Sequence, residues 1–332
     1  MNGSSFEESD SAGLDRIARL YSGRETQHML GRTRRSRPLS NRILVGQRAP
    51  ESPEMRIALF VPCYIDQLKP AIGLAALDVL ETFGFEVDFP EAQTCCGQAF
   101  LTAGETRAAD RLFDRYLDVF DDFDQIVALS GSCAATIRRH LPSRRASSRA
   151  EGVAGRTLEF SEFLVENGVA TRNLGRFPHR VGLHSNCHAL RELRLGTASE
   201  IREPERMDPA RRLLSSIREL QLVDLTRPDE CCGFGGIFSI EEEAVSCRMG
   251  LDRLADHRLA NAEVITSTDV SCLFQLAGLA DKAGFEFRAM HLAELLAESL
   301  ANVIRESSRE FDPSSRDVGA NQEGMDRTDG SR

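Results

Sequence analysis

At 332 residues the chain has room for about two domains, and a hydrophobic content of 41% is enough for packed cores. No run approaches the roughly 18 apolar residues of a membrane span, and the opening residues, with early acids and no apolar stretch, do not read as a secretory signal. The net charge of −10 argues against nucleic acid as a general partner. The expected setting is the cytoplasm, where thiols stay reduced and a cysteine pattern reads as metal-binding or catalytic rather than as disulfides.

In chain order, residues 1–54 differ from the rest. From Arg24 to Arg48 seven arginines stand against one acid, Glu25, among Ser, Pro and Gly, which predicts a disordered basic leader. Met55 precedes the first strand and could mark the start of the folded unit or of translation. A first unit over 55–170 begins with the short apolar run Arg56–Val61, suited to a buried parallel strand. A helix over 68–83 ends before Gly84; a strand at Phe85–Phe89 and an amphipathic helix over 104–121 follow. Then come a strand at Gln125–Leu129, a short helix through Ile137, a strand at Thr157–Phe160 and a helix over 161–167. A boundary fits 168–179, which holds Gly168, Gly175 and Pro178.

The second unit, 179–305, repeats the order. Strands are predicted at Arg180–His184, Gln221–Leu225, Glu263–Ser267 and Phe285–Met290, and helices over 209–219, 239–259, 272–283 and 291–304. A polar tail, expected to be disordered, fills 306–332. The alternation predicts an α/β fold: two similar Rossmann-like units, each a small, mainly parallel sheet flanked by helices.

Eight of the nine cysteines fall into two matching sets: Cys63, Cys95-Cys96 and Cys133, then Cys187, Cys231-Cys232 and Cys272. Each follows the end of a predicted strand. In a parallel sheet the loops after the strands share one edge, the carboxyl edge where open α/β folds bind ligands. Cysteines far apart in sequence can therefore meet. Free cysteines are often small buried core residues, which is the preferred reading for Cys247, within a predicted helix and without a counterpart. Eight at matched strand ends read instead as metal ligands, since thiolates select zinc, copper(I) or iron–sulfur clusters.

Four-thiolate zinc sites usually use two CxxC-like pairs. Neither half has one: Ser130 and Asp269 stand three residues before Cys133 and Cys272. Adjacent cysteines can reach different irons of a cluster, so an iron–sulfur cluster in at least one half is the favoured expectation, with zinc open in one half. Gly97, Gly233, Gly235 and Gly236 let the backbone approach a bulky cofactor, and their N–H groups could donate to its sulfurs. His184 and His188 flank Cys187; each could serve the site, but a surface or packing role is preferred, and His140 and His291 read as structural. Glu241, Glu242 and Glu243 complement a helix dipole. CCGFGG is neither a dinucleotide fingerprint, because Phe238 stands where a third glycine would, nor a Walker A loop.

The segments LFVPCYIDQLKP, DFPEAQTCCGQ, SGSCAA, HSNCHALREL, ECCGFGG and SCLFQLAG closely resemble the lactate utilisation protein A family, from about Met55 to Ile304. That family belongs with the cysteine-rich CCG-domain proteins, among them the cysteine-rich component of heterodisulfide reductase and the iron–sulfur component of glycolate oxidase. The wider family ends its motif in CxxC; with Ser130 and Asp269 in those places each site has four cysteines, which favours a four-ligand arrangement such as 4Fe-4S over a five-cysteine noncubane cluster. The resemblance implies an electron-transfer subunit in the oxidation of L-lactate to pyruvate, working with a companion iron–sulfur protein and a third subunit. No flavin or nicotinamide motif is visible, and no catalytic residue for a 2-hydroxy acid can be named. Two other readings are a thiol–disulfide reductase subunit of the heterodisulfide type and a zinc-stabilised scaffold without redox chemistry.

Overall fold

The computed structural model describes residues 55–201 and 206–310. The expected leader over 1–54, and the expected tail over 306–332 apart from its first five residues, lie outside the described residues; residues 306–310 continue the last helix, Leu292–Glu310, and do not begin an irregular tail.

Among the described residues, eight short strands form two sheets with the same internal order. The first contains β1 (Ile57–Phe60), β2 (Val87–Asp88), β3 (Gln125–Ala128) and β4 (Thr157–Glu159), arranged β2-β1-β3-β4. The second contains β5 (Arg180–Leu183), β6 (Gln221–Leu222), β7 (Val264–Ser267) and β8 (Arg288–His291), arranged β6-β5-β7-β8. Every pairing is parallel. The register is equivalent too: Ile57 lies opposite Val87 and Gln125, and Val181 opposite Leu222 and Val264. The α/β class and the duplicated parallel sheets expected from the sequence are both present. The edge strands β2 and β6 are only two residues long, shorter than their apolar runs suggest.

Successive residues of a strand point to opposite faces, and this alternation builds a layered core. Ile57, Leu59 and Val61 face a central layer of helices, as do Val181 and Leu183 from the other sheet. That layer holds α2 (Pro70–Thr82), α7 (Phe160–Glu166), α8 (Pro209–Ser215) and α12 (Leu292–Glu310), whose buried apolar residues form one cluster spanning both halves. Ala58, Phe60, Ile126 and Ala128 face outward, against α4 (Thr106–Phe120), α5 (Gly131–Arg144) and α6 (Ser148–Gly155). Ile265 faces outward in the second half, against α10 (Glu243–Leu259) and α11 (Val270–Ala283).

Three short helices and one helix extension go beyond the sequence expectation. α1 (Cys63–Leu68) and α3 (Gln98–Thr102) begin at the cysteine loops themselves. α6 is started by Ser147, whose hydroxyl accepts from the Ala150 N–H, a cap hidden in a run of arginines and serines. α5 continues past Ile137 through Pro142 to Arg144, and the long helix expected over 239–259 is broken at Glu242 into α9 (Phe238–Glu241) and α10.

The last strand of each half hands over to its helix in the same way. Glu159 ends β4, accepts from the Ser161 and Glu162 N–H groups, and its own N–H donates to the Glu162 carboxylate. His291 ends β8, accepts through Nδ1 from the Ala293 N–H, and its N–H donates to the Glu294 carboxylate. The first is a capping box; the second is a variant of it in which the cap side chain accepts from the second helical residue, and both are built on buried residues.

Candidate metal centres

The two sheets turn their carboxyl edges toward each other, and the helix starts after β3 and β7 meet there. The Gly131 N–H donates to the Thr268 carbonyl across the junction at 3.2 Å. Asp269, fully buried, accepts from the Ser130 hydroxyl and the Ser132 N–H of the first half, both at 2.9 Å, and from the Ser271 N–H and hydroxyl of its own half, at 3.2 and 2.6 Å. Burial alone would push its carboxyl up, but the donors from Ser132, Ser271 and Ser130 outweigh it and hold the group below the ordinary carboxylate value. The two positions that depart from CxxC are therefore helix caps: Ser130 accepts from the Cys133 N–H, and Asp269 starts α11.

The first cysteine set comes together as its strand order predicts. Cys63 opens α1 directly after β1, Cys95 and Cys96 lie in the loop before α3, and Cys133 sits in the first turn of α5. The Gln93 side chain pins the loop beside Cys63, accepting from the Val61 N–H at 2.7 Å and donating to the Leu59 carbonyl at 3.1 Å, so that it extends the edge of β1. The Cys63 and Cys95 sulfurs are 3.8 Å apart and those of Cys96 and Cys133 are 3.1 Å apart.

The second set repeats this. Cys187 follows β5, Cys231 and Cys232 precede α9, and Cys272 lies in the first turn of α11. Cys187 and Cys231 are close enough to perturb each other's ionisation, and Cys232 stands in the same relation to Cys231 and Cys272. Burial matches position by position: Cys63, Cys95, Cys187 and Cys231 are half-buried, whereas Cys96, Cys133, Cys232 and Cys272 are buried. Cys247 lies apart, in α10, packed on the apolar cluster of the second half.

Backbone donors point at the sulfurs in both sets. The Gly97 N–H donates to Cys95 Sγ at 3.4 Å, the Gly233 N–H to Cys231 Sγ at 3.3 Å, and the Phe234 N–H to Cys232 Sγ at 3.5 Å. Gly97 and Gly233 reach this geometry at φ of 89° and 83°, and a Cβ on Gly233 would fall 2.3 Å from the Ser246 carbonyl oxygen. Gly235 and Gly236 also have positive φ, but they turn the chain into α9, and no donation from them to a sulfur is seen among the described residues.

The thiols are too close for independent ionisation. Donation from Cys63, then Cys96, holds Cys95 down at about 3, and donation from Cys187, then Cys232, holds Cys231 down at about 2. Their donors Cys63 and Cys187 are driven up by the same bonds and by burial. Each set thus keeps one thiolate at the equivalent residue, and a cation bound among the four would favour ionising the rest. The donor set fits a soft metal centre. Two thiolates on one tetrahedral metal with bonds of about 2.3 Å lie about 3.8 Å apart, close to the Cys63–Cys95 separation of 3.8 Å.

Several other groups lie beside the sulfurs, among them the two histidines for which a surface or packing role is expected from the sequence. Tyr64 packs edge-on against Phe234 and Phe274, at ring distances of 6.1 and 6.5 Å, and so lies between the two sets. His188 joins them: Nδ1 is 3.5 Å from Cys187 Sγ, and Nε2 is 2.9 Å from Gln98 Nε2 of the first half. His184 is buried, and burial holds it neutral, down at about 3. A pocket of about 490 Å³ opens beside Cys187 and Cys231, lined also by Arg191, Ser199, Arg227, Asp229 and Glu230.

The chain matches the cysteine-rich CCG domain twice, over residues 57–138 and 181–277. Curated relatives named lactate utilization protein A, from Bacillus cereus and Bacillus thuringiensis, and lactate utilization protein A 1 from Bacillus anthracis, are each 32% identical over 246 residues, 73% of this chain and 98% of theirs. A solved glutamate racemase from Francisella tularensis covers 77% of this chain and 82% of its own at 12% identity, with a TM-score of 0.29, a likeness too loose to bear on the fold. With both cysteine sets inside the matched segments, the chain belongs to the cysteine-rich CCG-domain family, among the lactate utilization protein A proteins.

Proposed function

We propose that this chain is the iron–sulfur electron-transfer subunit of a complex that oxidises L-lactate to pyruvate. The observation that carries this reading is the pair of matched cysteine quartets on facing sheet edges, each with a glycine N–H aimed at one of its sulfurs. The relatives' names supply the lactate context. Cys63, Cys95, Cys96 and Cys133 would hold one metal centre, and Cys187, Cys231, Cys232 and Cys272 the other. An iron–sulfur cluster supplies one-electron chemistry over roughly −700 to +450 mV.

The chain's own residues do the rest. The thiolates bind; the Gly97, Gly233 and Phe234 N–H groups stabilise negative charge on sulfur, which favours the reduced state. Asp269, bonded into both helix starts, fixes one edge against the other. The half-buried cysteines face the outside, where a companion iron–sulfur protein and the third subunit would exchange electrons. The setting is the cytoplasm, where the thiols remain reduced; no helix among the described residues is long and apolar enough to cross a membrane.

The test is purification of the full chain without oxygen, with iron and acid-labile sulfide measured per chain. Iron and sulfide in stoichiometric amounts, with an electron paramagnetic resonance signal that appears or vanishes on reduction, are expected. A fully active complex containing this chain free of iron would refute the reading.

A further inference from the structure

The two quartets are alike in their sulfurs, but the residue three places before the first cysteine of each differs. In the first half it is Phe60, packed edge-on against Tyr116 and Phe120 at ring distances of 5.2 and 5.6 Å, with no atom to offer a metal. In the second half it is His184. Its backbone N–H donates to the Thr266 carbonyl at 2.8 Å, carrying the β5–β7 pairing one residue further and fixing where the ring enters the site.

His184 is 1% exposed, and neither ring nitrogen has a hydrogen-bond partner. An imidazole always carries polar nitrogens, and buried polar groups are normally paired. Two polar neighbours are engaged elsewhere, while His257 and Arg253, buried nearby, keep unpartnered nitrogens of their own but do not bond the ring. Asp208 accepts from the Ser185 hydroxyl and from the Ala210 and Arg211 N–H groups, and Asn186 is shared between Thr268 and the Ala189 N–H. A ring nitrogen does lie within 4.8 Å of both Cys232 Sγ and Cys272 Sγ, and the two sulfurs lie within the same distance of each other. These three donors, all buried, lie close enough together to hold one ion.

We propose that His184 is a nitrogen ligand of the second centre, binding beside Cys232 and Cys272, so that this centre is a mixed imidazole–thiolate site while the first is all-thiolate. The proposal rests on the reading that the second quartet holds a metal. This grouping of donors leaves out Cys187 and Cys231, so His184 would stand in place of one of those two thiolates; a neutral imidazole there brings no negative charge, and this is the substitution by which histidine ligation raises the potential of an iron–sulfur centre. Cysteine–histidine sets also suit zinc, so the ligand assignment holds for either metal and the experiment identifies which is present. With iron, the second centre would be the more oxidising of the two, and electrons would run from the first half to the second.

The experiment uses the full chain, purified without oxygen, and its Cys96→Ser variant, in which metal is confined to the second centre. Elemental analysis identifies the metal, and X-ray absorption at its edge counts nitrogen against sulfur neighbours. One nitrogen neighbour per second centre is expected in Cys96→Ser, lost when His184→Gln is added. For a paramagnetic iron centre, pulsed electron paramagnetic resonance on protein labelled with 15N-histidine should show a strong nitrogen coupling that disappears with His184→Gln, and the midpoint potential should fall. Metal in the wild type with an all-sulfur shell at the second centre, or a nitrogen neighbour that survives His184→Gln, overturns the ligand assignment alone. A wild-type chain with no metal at all overturns the metal-centre reading and this inference with it.

Discussion

The two halves share a frame and differ in what stands behind it. Behind the first quartet the outer face of the sheet is aromatic: Phe60 meets Tyr116 and Phe120 edge-on, those two lie tilted against each other, and Phe113 is buried beside them. Behind the second the equivalent space is polar. Arg253, Asp256, His257 and His184 are all buried, Arg253 and Asp256 paired at 3.2 Å, with Asp256 also accepting from the Thr226 and Arg227 N–H groups. Gly182 on β5 is needed to admit His257, whose Nδ1 would lie 2.3 Å from a Cβ there. A duplicated scaffold can thus place the same sulfurs in surroundings of different polarity. The sulfur count alone says little about how alike two such centres are, because nearby charge and hydrogen bonds tune them.

The largest effects should come from the sulfurs. Cys96→Ser and Cys232→Ser should each remove one centre, about half of the bound metal, since a coordinating thiolate is lost. Cys247→Ser should leave the content unchanged. Metal analysis of the three purified variants checks this, and iron retained by all of them would refute the ligand sets.

Next comes the backing of the first half. Phe120→Ala should destabilise the fold by about 4 kcal/mol, a buried aromatic ring lost from a packed cluster, read as a lower urea midpoint. Slightly smaller is the cost at the junction. Asp269→Ala should cost about 3 kcal/mol by leaving buried donors from both halves unpaired, whereas Asp269→Asn, which can still accept at one oxygen, should cost less. Equal losses would show that the bridge between halves matters less than the cap on α11.

The last effects are pH-dependent and of opposite sign at the two strand-to-helix caps, on the order of several kcal/mol each when the whole shift is traversed and less at any one pH. Burial raises Glu159 from 4.5 to about 8, so the folded state holds this proton more tightly than the unfolded chain; its stability contribution is whole below about 4.5 and is lost as pH rises through 8. Burial lowers His291 from 6.5 to about 4, so its contribution is whole above 6.5 and is lost as pH falls through 4. Urea midpoints across pH 4–9 should show Glu159→Gln flattening the alkaline limb and His291→Gln the acid limb.

Much of this can be read from the chain. All eight strands lie where apolar runs place them, and the longer helices overlap the predicted spans, because strand and helix periods are local properties of the sequence. The rim position of the cysteines follows from parallel topology alone. The cap that starts α6 escapes a sequence reading because Ser147 sits in polar surroundings that resemble a loop. From sequence His184 reads as a surface or packing residue: its neighbours Ser185 and Asn186 are polar, and nothing local reveals that Thr266, far along the chain, holds it in the interior.

The sequence by itself determined the duplication, the strand order's raw material and the eight sulfurs, since each depends on residue type and spacing along one segment. Only the folded chain decided that the two sheet edges face each other, that Asp269 caps a helix while accepting from the other half, and that an imidazole without a partner lies beside Cys232 and Cys272. Those outcomes are set by side chains packing across distant segments, where burial removes water as the alternative partner, and no short stretch of sequence carries that information.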